Sequence, residues 1–343
     1  MPAIKNQKAP IRHVLDLSKE EKRQFLESFD TIMSDCDGVV WDFIGPIPGV
    51  DQALPLLKKK GKKLAFISNN GMRTMEEYKR KFLNLGIPSH ELDIVHPALT
   101  TVRYLKAINM TDAVYCVATE VFKDYLRNEQ YTVLDGVCSS RVFATSCFDL
   151  MAILSCLSPQ PDDRFPDERA ADSVRVFTDF FTESDSPRVG AVVMDIDVNI
   201  SLAHLMKAKC YLERNPDCIL IVGATDYIVP LGDRMDVIGP GYFIDILEKA
   251  TGRKALVLGK PGQALADFVL EQFNVTRPKR VLFIGDMLPQ DMGFGSRCGF
   301  QKLLMLSGGT TMDMLRAHKK PEELPDFYMD SFADFIQLYK DVQ

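Results

Sequence analysis

Two aspartates one residue apart follow a short apolar run early in the chain. In "TIMSDCDGVVW", Asp35 and Asp37 end a strand-like segment, and Gly38 comes directly after them. A turn at Gly38 can curl the second carboxylate back toward the first. One carboxylate could then attack an electrophile while the other moves a proton, and the pair could also bind a hard divalent cation. The alternative is a pair of turn-capping aspartates, which is the commoner role of such a motif.

A second pair of acids follows another strongly apolar run, in the last third of the chain. The segment "RVLFIGDMLPQD" supplies Asp286 and Asp291. Asp286 comes where a cation held by the first pair would be reached, whereas Asp291 is expected to support neighbouring groups rather than to bind the cation. Capping of the following helix is the alternative role for such acids.

Two further polar segments could hold an anion. The segment "FISNNG" offers Ser68, Asn69 and Asn70 where a helix could begin, and such donors suit a phosphate group. The segment "LGKPG" offers Lys260, a point positive charge, although either segment alone could be a plain polar loop. Together the four segments indicate a carboxylate nucleophile, a magnesium ion and two groups for phosphate oxygens. Mg²⁺ and Lys260 would offset the repulsion between an anionic carboxylate and an anionic phosphate in the transition state.

The regions that carry these segments alternate between strand-like and helix-like patterns. Residues 29–99 and 239–343 show this alternation, which predicts an α/β fold with a doubly wound parallel sheet. Sheets of this kind bind ligands at the carboxyl ends of their strands, where the four polar segments are expected. Residues 100–238 are predicted to form an inserted second α/β domain, within which 158–188 is an acidic surface insertion. The N-terminal segment, 1–28, is predicted to contain one short helix.

The composition argues against several classes of protein. The 343 residues carry a net charge of −6, so we expect no basic surface for nucleic acid. No apolar run reaches the roughly 18 residues that cross a bilayer, and the N-terminus lacks the apolar region of a secretory signal. The eight cysteines include no C-x-x-C pair, so free thiols and a cytoplasmic location are expected.

The four segments, in this order, resemble the four motifs of the haloacid dehalogenase (HAD) superfamily of phosphohydrolases. The long stretch between the second and third motifs resembles the C2-type cap of that family. The segments "DCDGVVW", "FISNNG" and "LGKPG" and the tail "LPDFYMDSFADF" are most similar to one branch, that of phosphoglycolate phosphatase, pyridoxal phosphatase (chronophin) and 4-nitrophenylphosphatase. The resemblance covers about residues 15–343 apart from the insertion, and it implies a Rossmann-like core sheet with an inserted α/β cap.

The resemblance also implies catalytic and metal-binding roles. Asp35 would be the nucleophile that becomes an aspartyl-phosphate. Asp37 would be the general acid and base, with its backbone carbonyl on Mg²⁺. Asp286 would complete the metal shell that Asp35 and Asp37 begin, and Asp291 would orient its neighbours.

Substrate contacts are implied in the same way. Ser68 and Lys260 would hold the phosphate and the phosphoenzyme. The residues expected to line the substrate site are Gly38, Ser68, Asn69, Asn70, Thr225, Asp226 and Lys260. The cap loop reads "GATD" where the family often has "GTNxD", and Gln290 stands where the family often has threonine. The implied substrate is a small phosphorylated metabolite, and the implied assembly is a homodimer formed through the cap.

Several alternatives remain open at this point. A dehalogenase could use the same aspartate, but a halide leaving group needs neither a second acid nor Mg²⁺. A phosphotransferase or mutase, a phosphoprotein phosphatase and a non-catalytic phosphate-binding scaffold are also compatible with the motifs. Loss of Asp35, Asp37 or Asp286 would have indicated the scaffold, and all three are present.

Overall fold

The structure, a computed structural model, describes residues 11–42, 44–135, 187–230 and 236–343. Its described strands form two parallel sheets and one short antiparallel pair. The strands are β1 (Arg12–His13), β2 (Thr31–Ser34), β3 (Lys63–Ile67), β4 (Ile94–Val95), β5 (Ala113–Val117), β6 (Val133–Leu134), β7 (Val189–Met194), β8 (Ile219–Val222), β9 (Ile228–Pro230), β10 (Asp236–Ile238), β11 (Leu256–Val257), β12 (Val281–Gly285), β13 (Gln301–Met305) and β14 (Phe327–Met329).

Helices connect most of these strands, as expected for parallel neighbours. The α-helices are α1 (Lys19–Glu27), α2 (Val50–Lys59), α3 (Met75–Asn84), α4 (Pro97–Ala107), α5 (Glu120–Asn128), α6 (Leu202–Arg214), α7 (Gly241–Thr251), α8 (Gln263–Gln272), α9 (Gly293–Cys298), α10 (Met312–Ala317) and α11 (Asp334–Asp341). Short 3₁₀ turns lie at Val14–Asp16, Ser89–Glu91, Pro278–Arg280 and Pro321–Glu323, and a π-helical turn lies at Leu288–Met292. No described helix has the length and apolar character that a bilayer crossing requires.

The larger sheet has seven strands in the order β1-β14-β13-β12-β2-β3-β4, all parallel. The chain leaves β2 toward β3 and β4 and later returns to β12 on the other side, so the strand order reverses between β2 and β12. Ligands bind at such a reversal in doubly wound sheets. The predicted doubly wound parallel sheet is therefore confirmed, and its reversal point lies at the first aspartate motif.

Alternating side chains explain why this sheet is covered on both faces. Ile32 of β2 packs in a cluster with α1, α2, α3 and α11, whereas the next residue, Met33, packs against α8 and α9 on the opposite face. Fully apolar strands such as β12 are typical of parallel sheets with helices on both sides.

The second sheet has five strands in the order β11-β8-β7-β5-β6, and it forms the core of an inserted unit. Helices α6 and α7 pack on one face and α4 and α5 on the other. We call the described residues between 97 and 258 the cap unit. The boundary predicted at residue 238 is wrong, because α7 and β11 belong to this unit: Ile244 and Leu247 of α7 join its apolar cluster.

The predicted N-terminal segment also contributes to the larger sheet. Ser18 and Glu21 form a capping box at the start of α1, which confirms the predicted short helix. Before it, β1 pairs with β14 at the edge of the sheet, which was not predicted. Almost all of the acidic insertion predicted at 158–188 lies outside the described residues.

Candidate active site

The first two aspartates lie at the carboxyl end of β2, in the centre of the larger sheet. The Asp35 N–H donates to the Ile284 carbonyl of β12 at 2.8 Å, so strand pairing continues up to this residue. The backbone then turns at Gly38, whose φ is +80°. A Cβ at Gly38 would overlap the Asp286 carboxylate, so both the conformation and the lack of space require glycine here.

Lys260 is the buried cation of the site. Its Nζ lies 2.8 Å from Asp35 Oδ2 and 2.6 Å from Asp291 Oδ1, and the residue is only 1% exposed. Burial lowers the pKa of Lys260, but the charges and hydrogen bonds of Asp291 and Asp35 outweigh burial and hold the pKa above its ordinary value. For Asp35 burial prevails and raises the pKa well above its ordinary value despite Lys260. A further cation beside Asp35 would therefore favour its ionised form.

Asp286 has one carboxylate oxygen that could bind a cation without breaking a hydrogen bond to a described residue. Its Oδ2 accepts a 2.6 Å hydrogen bond from the Gly309 N–H, whereas its buried Oδ1 has no hydrogen-bond partner among the described residues. Burial, followed by the charge of Asp291, raises the pKa of Asp286 to about 7. Oxygens of Asp35, Asp286 and Asp291 lie within 4.8 Å of one another. A buried oxygen without a partner, in an all-oxygen cluster, fits a hard divalent cation.

Asp291 uses both of its oxygens on protein groups. While Oδ1 contacts Lys260, Oδ2 accepts hydrogen bonds from the N–H groups of Asp286, at 3.0 Å, and Met287, at 2.9 Å. These bonds fix the backbone next to Asp286. Asp35 and Asp286 are therefore the side chains of this cluster that fit a cation, and Asp291 is placed to orient them.

Asp37 makes contacts that the motif did not predict. The two terminal guanidinium nitrogens of Arg73, Nη1 and Nη2, donate to the two carboxylate oxygens of Asp37, each at 2.8 Å. Trp41 Nε1 donates at 2.9 Å and Asn70 Nδ2 at 3.2 Å. Burial raises the pKa of Asp37, but the charge of Arg73 and these hydrogen bonds outweigh it and lower the pKa. Because the carboxylate lies against Arg73 and outside the oxygen cluster, the predicted metal contact of Asp37 concerns its backbone carbonyl alone.

The segment after β3, which carries Ser68 and Asn69, is hydrogen-bonded to the segment that carries Lys260. The Ser68 hydroxyl accepts hydrogen bonds from the Asn70 N–H, at 3.0 Å, and from the Tyr78 hydroxyl, at 3.4 Å. Asn69 Oδ1 accepts from the Lys260 N–H at 2.7 Å, and its Nδ2 donates to the Lys260 carbonyl at 3.0 Å. The sequence predicted that Lys260 follows a strand of the larger sheet. It follows β11 of the smaller sheet instead. The Asn69 amide therefore holds a loop that leaves the cap unit at the edge of the larger sheet.

The loop after β8, which belongs to the cap unit, lies against Asn69 and the Lys260 backbone. The Thr225 hydroxyl lies 3.5 Å from the Lys260 carbonyl, and Asp226 Oδ2 lies 3.5 Å from Asn69 Nδ2. Both predicted cap residues thus lie beside the predicted phosphate segment, and their contact with substrate stays a prediction.

Three residues at the site were missed by sequence reasoning. They are Arg73 and Tyr78, described above, and Asp195, a buried acid of the cap unit that accepts a hydrogen bond from the Ala224 N–H. Arg73 could have been suspected, because a cation three residues after Asn70 follows a polar turn closely. For the other two residues the sequence carries no comparable signal.

Comparisons with known proteins agree with this geometry. Residues 32–132 match the profile of the haloacid dehalogenase-like hydrolases, and residues 257–335 match a second, HAD-hydrolase-like profile. The chain is 31% identical over 333 residues to glycerol-3-phosphate phosphatase of Gallus gallus, covering 95% of this chain and 96% of that protein. The chain belongs to the haloacid dehalogenase-like hydrolases.

Within this family the chain is a phosphoric monoester hydrolase of the predicted branch. It is 28% identical over 319 residues to the chloroplastic phosphoglycolate phosphatase 1A of Arabidopsis thaliana, covering 92% of this chain and 79% of that protein. A crystal structure of glycerol phosphate phosphatase from Mycobacterium tuberculosis in complex with magnesium shares the fold. Its TM-score is 0.62 at 18% identity, over 90% of this chain and 77% of that one. The dehalogenase and scaffold alternatives are thereby set aside.

The contact between Arg73 and Asp37 leads to a prediction about leaving groups. Arg73→Met should lower kcat/KM by about 100-fold for an alkyl phosphate and by less than about tenfold for 4-nitrophenyl phosphate. The reason is that Arg73 aims the Asp37 carboxyl, whose proton an alkoxide needs on departure and a nitrophenolate does not. Steady-state kinetics with both esters measure the difference.

The matched control for this prediction is Lys79→Met. Lys79 is a nearby cation on α3, which begins two residues after Arg73, and its side chain pairs with Glu76 at the surface. Equal losses on both esters in Arg73→Met would show that Arg73 does not aim the acid.

Proposed function

We propose that this chain is a Mg²⁺-dependent phosphatase of small phosphomonoesters that acts through an aspartyl-phosphate on Asp35. The observation that supports it most is the buried group of Lys260, Asp35 and Asp291 beside the unpartnered Oδ1 of Asp286. This arrangement offers one nucleophilic carboxylate, one fixed cation and a place for a second cation, all at the carboxyl edge of a parallel sheet.

The chain's own residues account for the chemical steps. Asp35 attacks phosphorus, the bond from phosphorus to the ester oxygen breaks, and the leaving oxygen takes a proton from Asp37, which must be protonated for this step although Arg73 lowers its pKa. A water molecule then gives a proton to Asp37 and attacks the phosphoenzyme, the bond from Asp35 to phosphorus breaks, and phosphate leaves. Lys260 and the segment from Ser68 to Asn70 hold the phosphoryl oxygens. When bound by Asp35, Asp286 and the Asp37 carbonyl, Mg²⁺ would supply the positive charge that offsets the repulsion of two anions.

Removal of divalent cations tests the proposal. After treatment with a chelator, release of phosphate from 4-nitrophenyl phosphate should stop, and added Mg²⁺ should restore it. The same assay with a panel of phosphorylated metabolites and one phosphopeptide identifies the substrate class, since a cap over the site favours small esters. Full activity in the chelated protein, or none after Mg²⁺ is returned, would contradict the proposal.

A homodimer formed through the cap unit is part of the proposal. Exposed apolar side chains cluster there: Ile228 pairs with Ile238 across β9 and β10, and the centroids of the Tyr227 and Tyr242 rings lie 4.9 Å apart. Ile246 lies one turn from Tyr242 on α7 and is also exposed. A patch of this kind favours association of two cap units.

Sedimentation velocity tests this assembly. We expect the wild-type chain to sediment as a dimer and Ile238→Glu, which places a charge on a side chain 65% exposed in the chain, as a monomer. Met314→Glu is the control, because Met314 is an exposed apolar residue on α10, outside the cap unit. A wild-type monomer, or an unchanged dimer in Ile238→Glu, would rule out this interface.

A further inference from the structure

Tyr78 is a fully buried side chain that contacts the segment predicted to hold the phosphoryl group. It lies in the first turn of α3, a helix that begins with a capping box formed by Thr74 and Glu77. Its hydroxyl donates to the Asn70 carbonyl at 3.0 Å and lies 3.4 Å from Ser68 Oγ. A capped helix thus places one phenol oxygen against both Ser68 and Asn70.

The hydrogen bonds at Ser68 determine what its hydroxyl can offer to a ligand. Ser68 Oγ accepts from the Asn70 N–H at 3.0 Å and from the Tyr78 hydroxyl at 3.4 Å. A serine hydroxyl has two acceptor lone pairs and one proton, so these two contacts use both lone pairs. The Ser68 proton is left to be donated to an acceptor in the site, such as a phosphoryl oxygen.

The Tyr78 hydroxyl also fixes Asn70, the residue that donates to Ser68. Its proton is shared between the Asn70 carbonyl and Ser68 Oγ, and the contact with the carbonyl is the shorter one. Asn70 Oδ1 in turn accepts from the Met72 N–H at 2.9 Å, which closes a local turn. The Asn70 N–H is thereby held toward Ser68, so one phenol hydroxyl acts on Ser68 both directly and through Asn70.

The Tyr78 ring is enclosed by other rings, which holds its hydroxyl in place. The His96 ring stacks on it with the centroids 5.6 Å apart, and the centroid of the Trp41 ring lies at 6.2 Å. His96 is buried, and burial lowers its pKa to about 4, so this ring is neutral near pH 7 and brings no charge to the phenol. A phenylalanine at position 78 would keep these ring contacts and remove the hydroxyl alone.

We propose that Tyr78 is a positioning residue of this phosphatase, whose hydroxyl holds Ser68 in the orientation that donates to the phosphoryl group. The inference rests on the proposed function, because it concerns how Ser68 binds the group that is transferred. Tyr78 acts through Ser68 and Asn70 and is not itself a catalytic residue. Since the phosphoryl group is the same in every ester, the effect of the Tyr78 hydroxyl should not depend on the leaving group.

A double-mutant cycle of Tyr78→Phe and Ser68→Ala tests the proposal. We expect Tyr78→Phe to lower kcat/KM by about five- to tenfold, the loss that one hydrogen bond accounts for, on an alkyl phosphate and on 4-nitrophenyl phosphate alike. In the Ser68→Ala background the same change should alter kcat/KM by less than about twofold, because the group that Tyr78 positions is already gone. General damage to the fold would instead multiply the two losses.

Tyr115→Phe is the matched control, and its kcat/KM should stay within about twofold of the wild-type value. Tyr115 is also fully buried, but it lies on β5 of the cap unit, where its hydroxyl donates to the His204 carbonyl at 3.5 Å. Multiplied losses in the double variant, or a larger loss on the alkyl ester than on 4-nitrophenyl phosphate, would overturn the action through Ser68 while leaving the phosphatase proposal intact. Absence of cleavage of both esters by the wild-type chain, in the presence of Mg²⁺, would overturn the proposed function and this inference with it.

Discussion

Replacing Asp35 with asparagine should lower kcat for any phosphomonoester by about 10⁴-fold or more, because an amide cannot form the phosphoenzyme bond. The fold should survive. Asp35 is a buried acid whose pKa burial raises well above its ordinary value, so a neutral group of the same shape relieves a desolvated charge. Lys260 keeps its 2.6 Å contact with Asp291. We therefore expect the free energy of unfolding to stay equal or to rise.

Asp51→Asn is the control for this variant, because Asp51 is an exposed acid in the first turn of α2. Phosphate release and chemical denaturation of both variants separate the loss of a nucleophile from the loss of structure. Turnover of Asp35→Asn within about tenfold of the wild-type value would exclude Asp35 as the nucleophile.

Replacing Lys260 with methionine should damage both activity and stability. Loss of the ammonium removes the fixed cation that faces the phosphoryl group, and kcat/KM should fall by about 10²- to 10³-fold. It also leaves Asp35 and Asp291 buried without their shared partner, which we expect to lower the free energy of unfolding by about 3–5 kcal/mol near pH 8. Lys254→Met is the control, since Lys254 is a highly exposed lysine that pairs with Glu248.

The stability loss in Lys260→Met should depend on pH in a defined direction. The pKa of Asp35 is already raised by burial, with Lys260 opposing the rise, so removal of Lys260 raises it further. An acid whose pKa is higher in the folded than in the unfolded state binds protons more readily when folded, and stability then increases as pH falls. The gap in unfolding free energy between Lys260→Met and the wild-type chain should therefore narrow from pH 8 toward pH 6. A gap that widens over this range would contradict the pairing.

Much of the site could be predicted because it depends on local sequence. Short apolar strands followed by acids, amides or glycine indicate where the parallel strands end, and parallel strands bring those ends to one edge. Asp35, Asp286 and Ser68 meet for this reason alone, since β12, β2 and β3 are neighbours. The requirement for glycine at position 38 follows from the turn that the motif needs.

Other features could not be predicted because they depend on contacts between distant segments. The alternation of strands and helices continues from the cap unit into the second half of the larger sheet, so periodicity does not show which sheet receives β11. Only the packing of α7 against the cap sheet decides it. The contact of Arg73 with Asp37 likewise depends on how the segment before α3 packs beside Trp41. A cation soon after a polar turn could be suspected from the sequence, but its approach to Asp37 could not.

The sequence by itself thus determined the fold class, the acids and the lysine of the site, and the edge of the sheet on which they meet, because strand ends and turn residues are local properties. The tertiary structure alone decided which charges are already paired. Pairing is a matter of distances between side chains far apart in the chain: Lys260 with Asp35 and Asp291, and Arg73 with Asp37. The Lys260 contacts arise when the loop after β11 of the smaller sheet reaches the larger sheet, and the Arg73 contact arises when the segment before α3 packs against the loop after β2.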